Sequence, residues 1–203
     1  MKRPVPQVYI LAVLFITTIK YLLMSPAALS VREIQEQDFD RVIDYFAFAE
    51  EKFLTNMGVD IDKLPGKKEW RDLLRADFSK PIQDKQAYFL IWQWNDLPVG
   101  HSNINKIIFG QEAFMHLHLW NEDQRATGKG TEFVRLSIPF YFHHFKLHNL
   151  YCEPYALNPA PNRTLEKLGF DFIQEYETTP GWLNFHQKVK RWCLERGKFE
   201  RLY

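Results

Sequence analysis

Cysteine is nearly missing: the 203 residues hold two, Cys152 and Cys193, and neither stands in a Cys-x-x-Cys or Cys/His ligand spacing. That excludes a disulfide framework, gives no zinc-finger pattern, and suits a reduced, cytosolic protein. A surplus of one charge is also missing. Lys and Arg number 26 and Asp and Glu 25, a formal net charge of +1, with no long run of either sign. Nucleic-acid binding therefore has little electrostatic support. An uninterrupted membrane-length apolar run is missing too, because Lys20 breaks the stretch that begins at Val8. What is abundant is apolar and aromatic side chain, 46% and 16%. Such a chain can build a sizeable core, and its length suits one compact domain with extra sequence at an end.

That extra sequence is residues 1–28. Met1-Lys2-Arg3 precedes the apolar run Val8 to Ile16, and Ala28-Leu29-Ser30 resembles a cleavage site. Three readings stay open: a non-essential extension with Met24 as a second start, a helix packing on the domain or a partner, and a targeting segment or anchor. Positive charge at the N-terminus would hold that end inside and send the rest outward, where a domain using a cytosolic co-substrate would lack its supply. A membrane partner is accordingly not expected.

Leu29–Ile34 reads as a strand. Phe39, Val42, Ile43, Phe46 and Phe53 then fall roughly on one helical stripe, with Asp38 as N-cap. Gly58 to Lys68 reads as loop, and Trp70 to Phe78 as a helix ending before Pro81. Ala87–Trp92 and Val99–Ile107 form a hairpin about Asn95-Asp96. Ala113–Trp120 is a further strand. Gly130 to Phe145 is a helix that Pro139 kinks or shortens. Then follow a strand at Leu150–Glu153, a helix from Pro159 to Leu168 stopped by Gly169, strands at Phe170–Tyr176 and Trp182–Val189, and a charged tail from Arg191 with helical character. This order predicts a single α/β domain on a mixed sheet, with an antiparallel start and a crossover helix in the middle.

The chemistry concentrates at Arg125-Ala126-Thr127-Gly128-Lys129-Gly130-Thr131. A strand leads into a two-glycine loop and a helix follows, so free backbone N–H groups and the helix dipole converge on one spot. That is an anion site suited to a diphosphate. Arg125 and Lys129 carry neutralising charge, and Thr131 has a hydroxyl to donate. Taken alone, the segment is equally an ordinary turn, and it is neither a P-loop nor a three-glycine dinucleotide fingerprint.

Arg125-x-x-Gly128-x-Gly130 resembles the (Arg/Gln)-x-x-Gly-x-(Gly/Ala) motif of the GCN5-related N-acetyltransferases (GNAT). About 30 residues further on, Asn158-Pro159-Ala160-Pro161-Asn162-Arg163-Thr164-Leu165-Glu166-Lys167-Leu168-Gly169-Phe170 is similar to that family's second signature. It is most similar to the branch that acetylates ribosomal-protein N-termini and related amines. The resemblance spans Val31 to Val189. It implies a GNAT-type domain at 29–190, a mostly antiparallel sheet of about six to seven strands flanked by helices and splayed at its central parallel pair, and a separate charged tail at 191–203. It implies acetyl-CoA as co-substrate and no metal. The pyrophosphate would lie on Arg125 to Thr131 and the pantetheine arm along Leu119 and Trp120, with Asn158 and Asn162 from the second signature. Asn158 reads equally as an N-cap before Pro159.

Two departures bear on mechanism. Many relatives carry a Tyr, acting as general acid, where Leu165 stands here, and a Ser or Thr where Pro161 stands. An amine acceptor also needs a base. His116 and His118 share one face of their strand, and their side chain is suited to that role. Glu153 on the next strand is the other candidate. Cys152 reads as buried filler, and His143, His144 and His148 as surface or capping groups. The resulting expectation is an N-acetyltransferase moving an acetyl group to a primary amine of a small molecule or protein N-terminus, monomeric or homodimeric. A non-catalytic acyl-CoA-binding regulatory module is the alternative, kept open by Leu165.

Overall fold

The computed structural model describes residues 28–121 and 127–203. Expectations placed on residues 1–27, and on Arg125 and Ala126, lie outside the described residues.

The described chain runs β1 (Leu29–Glu33), α1 (Phe39–Ala47), α2 (Glu51–Asn56), α3 (Lys67–Phe78), β2 (Ala87–Trp94), β3 (Leu97–Ile108), β4 (Glu112–Leu119), α4 (Lys129–Phe145), β5 (Asn149–Cys152), α5 (Pro159–Lys167), β6 (Asp171–Thr178), β7 (Gln187–Glu195) and α6 (Arg196–Leu202). Seven strands form one sheet in the order β1-β2-β3-β4-β5-β7-β6. Every pairing is antiparallel except β4 with β5. Asn95 and Asp96 both take left-handed angles (φ 50° and 63°), the two-residue turn whose twist matches a hairpin.

Helices cover both faces. On one, α4 lays Phe133, Val134, Ile138 and Phe142 over Leu90, Trp92, Ile104 and Met115, and Trp92 stacks on Phe133 at 5.2 Å. On the other, α1 and α3 bury Phe39, Val42, Ile43, Phe46, Trp70 and Leu74 against Ile91. Leu90, Ile91 and Trp92 are buried in succession, as a central strand covered on both sides requires.

Four local expectations need correction. The stripe from Phe39 to Phe53 is divided between two helices, with Phe48 exposed at the break. Asp38 makes no side-chain cap on α1. Its buried carboxylate instead takes both Arg32 guanidinium nitrogens (2.6 and 2.9 Å) and the Gln35 N–H, tying β1 to the start of α1. Pro139 does not shorten α4, which runs on to Phe145. The last strand is Gln187–Glu195, not Trp182–Val189. A turn holds Gly181 to Asn184, and the Asn184 and Gln187 side chains both donate to the Gly58 carbonyl at 2.8 Å.

The boundary at 190 therefore falls inside β7. Trp192 and Cys193 pair with β5, and Phe199 is buried in the core, stacked on Phe142 at 4.2 Å. Burying a Phe side chain contributes about 1.5–3 kcal/mol, so residues 191–203 belong to the domain. The charges between these apolar residues disguise the strand.

Candidate active site

The β4–β5 ladder lasts three residues, Glu112–Phe114 against Asn149–Tyr151. β4 then continues beside β3 alone to Leu119, while β5 ends at Cys152, whose Sγ donates to the Met115 carbonyl at 3.0 Å. Beyond that bridge a cleft of about 2000 Å³ extends from Gly128–Thr131 at the start of α4, past Met115 to Leu119 on β4, to Tyr45 and Phe46 on α1. It thus reaches both faces of the sheet.

At one end stands the helix start. Gly128 is the N-cap of α4 at φ +84°, an angle that favours glycine, and no side chain caps the helix. The Thr131 N–H reaches back to the Gly128 carbonyl at 3.1 Å. A Cβ on Gly128 or Gly130 would meet nothing within 4 Å among the described residues. Backbone N–H groups of a helix start, positive dipole and open space together fit an anion. Only Gly128 needs its glycine for backbone angle; Gly130 has no positive φ. Thr127 is exposed. Lys129 places its ammonium 3.2 Å from the Trp94 ring centroid, a cation–π contact.

The other end is built from side chains. Strand pairing sets Asn105 opposite Phe114, Asn103 opposite His116, and His101 opposite His118, so these residues share one face. His118 stacks on His101 at 4.6 Å. Tyr45 meets both rings edge-on at 5.9 and 5.5 Å, and Phe46 meets His118 at 5.1 Å. Trp120 turns to this face as well, its indole N–H donating to His101 Nδ1 at 2.8 Å. That bond makes Nδ1 an acceptor and places the ring proton on Nε2. His116 Nε2, His118 Nδ1 and Asn105 Oδ1 are buried with no hydrogen-bond partner among the described residues.

Burial removes water from these rings and disfavours the imidazolium. It pulls His116 down to about 4, aided by Lys106 and opposed by Glu153. It pulls His101 to about 3 and His118 well below the usual value, with the neighbouring histidines adding to the effect. All three are neutral near pH 7.

Glu153 lies just past β5. Its Oε1 takes the Arg191 Nε at 2.5 Å and the Tyr176 hydroxyl, and Arg191 also donates to the Tyr176 oxygen at 2.6 Å. Desolvation, with help from Glu153, pushes Tyr176 up to about 12.

The second signature opens α5. Asn158 caps it by accepting the Ala160 N–H at 3.3 Å, ahead of Pro159. Asn162 is buried and fully engaged: its amide nitrogen donates to the Asn158 and Tyr155 carbonyls, and its oxygen accepts from the Trp192 indole at 2.8 Å. Leu165 is completely buried in the core. His101, Asn105 and Tyr45 were not singled out in the sequence. His101 and Asn105 lie at alternate positions of β3, and no motif marks them.

Residues 28–171 match the family model described as the acetyltransferase (GNAT) domain. That span is well over half of the chain, and the chain belongs to this family. Solved structures with the same fold include RimL, the ribosomal L7/L12 alpha-N-protein acetyltransferase in complex with coenzyme A (TM-score 0.68, 14% identity, covering 85% of this chain and 98% of that one). The spermidine N-acetyltransferase of Vibrio cholerae with CoA and spermine is similar (TM-score 0.69, 14% identity, 85% and 98%). So is the aminoglycoside acetyltransferase AAC(6')-Ib with coenzyme A (TM-score 0.65, 16% identity, 86% and 98%). No curated protein matches by sequence. No group of three or more metal-ligating side chains is positioned to hold an ion among the described residues. No helix among them is long and apolar enough to cross a membrane.

Proposed function

We propose that this protein moves the acetyl group of acetyl-CoA directly to a primary amine, with the donor at the Gly128–Thr131 end of the cleft and the acceptor at the His116–His118 end. The observation that carries this reading is the short β4–β5 ladder, which leaves a cleft between an anion-receptive helix start and a face of histidine nitrogens unpartnered among the described residues. Among the described residues of the loop, Gly128, Lys129, Gly130 and Thr131 would hold the pyrophosphate, and the backbone at Leu119, the end of β4, and at Trp120 just past it would border the pantetheine arm. The Asn158 amide nitrogen would serve that arm while its oxygen caps α5.

Bound acetyl-CoA supplies an activated thioester carbonyl. The acceptor nitrogen forms the new C–N bond as the C–S bond breaks, and it must lose one proton. His116, neutral and with a free Nε2, is positioned to take that proton directly or through water. Leu165 offers no proton to the departing sulfur, so that proton comes from the acceptor by way of His116 or from water. Glu153 is a positioning group: its carboxylate is paired with Arg191 and biases His116 electrostatically.

The ribosomal-protein branch is the subfamily that Asn158 to Phe170 resembles. We place the enzyme in the cytoplasm, where acetyl-CoA is supplied. A thiol-release assay with acetyl-CoA and a panel of amines tests the function. Turnover with at least one amine is expected. Tight acetyl-CoA binding without turnover on any amine would leave the non-catalytic binding module, the reading that Leu165 keeps open.

A further inference from the structure

The acceptor end carries a chemical specification. Its floor is the β3–β4 face, where His116 Nε2, His118 Nδ1 and Asn105 Oδ1 are buried and unpartnered among the described residues. Its walls are aromatic: Tyr45 and Phe46 lie edge-on over the histidines, Phe89 lies 6.0 Å from His101, and Trp182 reaches across from the β6–β7 connection to meet Trp70 at 6.0 Å. Tyr45, Phe89 and Trp182 line the cleft, the first two half-buried and the third exposed.

Charge is the second part of the specification. Among the described residues, the carboxylates lining the whole cleft are Glu33, Asp77 and Glu153, against the cations Lys80, Lys85, Lys106, Arg163 and Lys167. Two of the three carboxylates are already paired with cations, Asp77 with Lys80 at 2.9 Å and Glu153 with Arg191 at 2.5 Å. The charges that act on His116 are Lys106 and this paired Glu153. A polycation entering beside His116 would leave water without gaining a free counter-charge there, which is costly. The acceptor must also react as a neutral amine. At pH 7.5 an α-amine of pKa about 7.7–8.0 is roughly one-third neutral, whereas an alkylamine of pKa about 10.4 is roughly 0.1% neutral. A water-poor aromatic pocket with neutral histidines favours the first.

We propose that the acceptor is an α-amine carried beside an aromatic or large aliphatic side chain, with the side chain against Tyr45, Phe46 and Phe89 and the amine on the His116–Asn105 floor. This rests on the acetyltransferase reading above. In the reaction the α-amine nitrogen bonds to the acetyl carbon, the C–S bond breaks, and the amine proton leaves by way of His116 or water while CoA is released as the thiol. Spermidine and aminoglycosides, acceptors of two fold relatives by description, do not meet this specification.

The test is thiol release by the full chain at pH 7.5 with acetyl-CoA and L-phenylalaninamide, a pentapeptide beginning with Phe, glycinamide, spermidine and kanamycin, beside calorimetric binding of acetyl-CoA. The expected kcat/KM for a Phe acceptor exceeds that for glycinamide by about 10-fold or more, the size of discrimination an apolar pocket supplies, and exceeds spermidine and kanamycin by a wider margin. Turnover of either Phe acceptor at that margin upholds the proposal, and the ratio of amide to peptide tells a free small molecule from a peptide N-terminus. Tyr45→Ala is expected to shrink the Phe-to-Gly ratio toward 1 with acetyl-CoA affinity unchanged. Asn105→Asp, which adds a carboxylate to the floor, is expected to raise spermidine relative to phenylalaninamide. Equal rates for phenylalaninamide and glycinamide, or a preference for spermidine or kanamycin, overturn the proposal and leave the acetyltransferase reading standing. Acetyl-CoA binding with no turnover of any amine overturns both the proposal and the enzyme. Failure to bind acetyl-CoA overturns the donor site itself.

Discussion

The proposed donor end of the cleft is made mainly of backbone and the proposed acceptor end of side chains. At Gly128 the recognition elements are a left-handed glycine, the N–H groups of α4 and the space before them. At the other end they are histidine nitrogens and an asparagine oxygen unpartnered among the described residues, under an aromatic roof from α1 and β2. Backbone recognition suits a constant group such as a pyrophosphate, because it tolerates sequence change outside the glycine. Side-chain recognition suits a variable acceptor, since one substitution remakes the pocket.

Removing the support of the acceptor end is expected to do the most damage to stability. Arg191→Leu leaves the buried Glu153 carboxylate without its cation, a loss of about 3–5 kcal/mol. Urea denaturation reads it, and a loss below 1 kcal/mol would show that Tyr176 and solvent suffice.

Next comes chemistry at the same end. His116→Ala is expected to lower kcat/KM by about 100-fold, in the range for general acid–base groups, with acetyl-CoA affinity unchanged. An unchanged rate would transfer the proton to water alone.

The histidines also link stability to pH. His116 titrates near 6.5 when unfolded and at about 4 when folded, so between these values the unfolded chain binds more protons. Stability is complete above pH 6.5 and falls as pH drops toward 4. From pH 6.5 to 5 this one group contributes about 1.6 kcal/mol of loss, the slope rising toward 1.36 kcal/mol per unit as the unfolded ring protonates, with His101 and His118 adding in the same direction. A flat denaturation midpoint across that window would mean that the rings are wet. The smallest effect falls at the donor end. Asn158→Ala is expected to cost about 1 kcal/mol of stability through the lost cap. If acetyl-CoA affinity falls with it, the side chain serves both roles; if affinity holds, it is a cap alone.

The contrast between the two ends also accounts for what could be read in the sequence. Gly128 and Gly130 stand in a contiguous motif because a strand-loop-helix junction is local, and Asn158 to Gly169 is equally local. The β2–β3 hairpin was legible at Asn95-Asp96 for the same reason. The acceptor floor is not local. His101 and His118 stack only because β3 and β4 pair in one register, and Tyr45 reaches them from a helix on the covering layer. Glu153 looked like an available base, and only the distant Arg191 and Tyr176 reveal its pairing. β7 was misplaced because Lys188, Lys190 and Arg191 interrupt the apolar signal of Val189, Trp192 and Leu194. Asn162 drew attention as part of the second signature, yet its contacts reach Trp192, 30 residues further on.

The division into a backbone-built donor site and a side-chain-built acceptor site is tested most directly by titrating acetyl-CoA into the folded wild-type protein and Gly128→Glu by calorimetry. The added carboxylate would meet the phosphates at the start of α4, where like-charge contact costs several kcal/mol, on top of the strain of a side chain at φ +84°. The expected result is a loss of affinity of about 1,000-fold or more with the thermal unfolding transition retained. Acetyl-CoA binding to Gly128→Glu within a few-fold of wild type would contradict it and move the donor away from the start of α4.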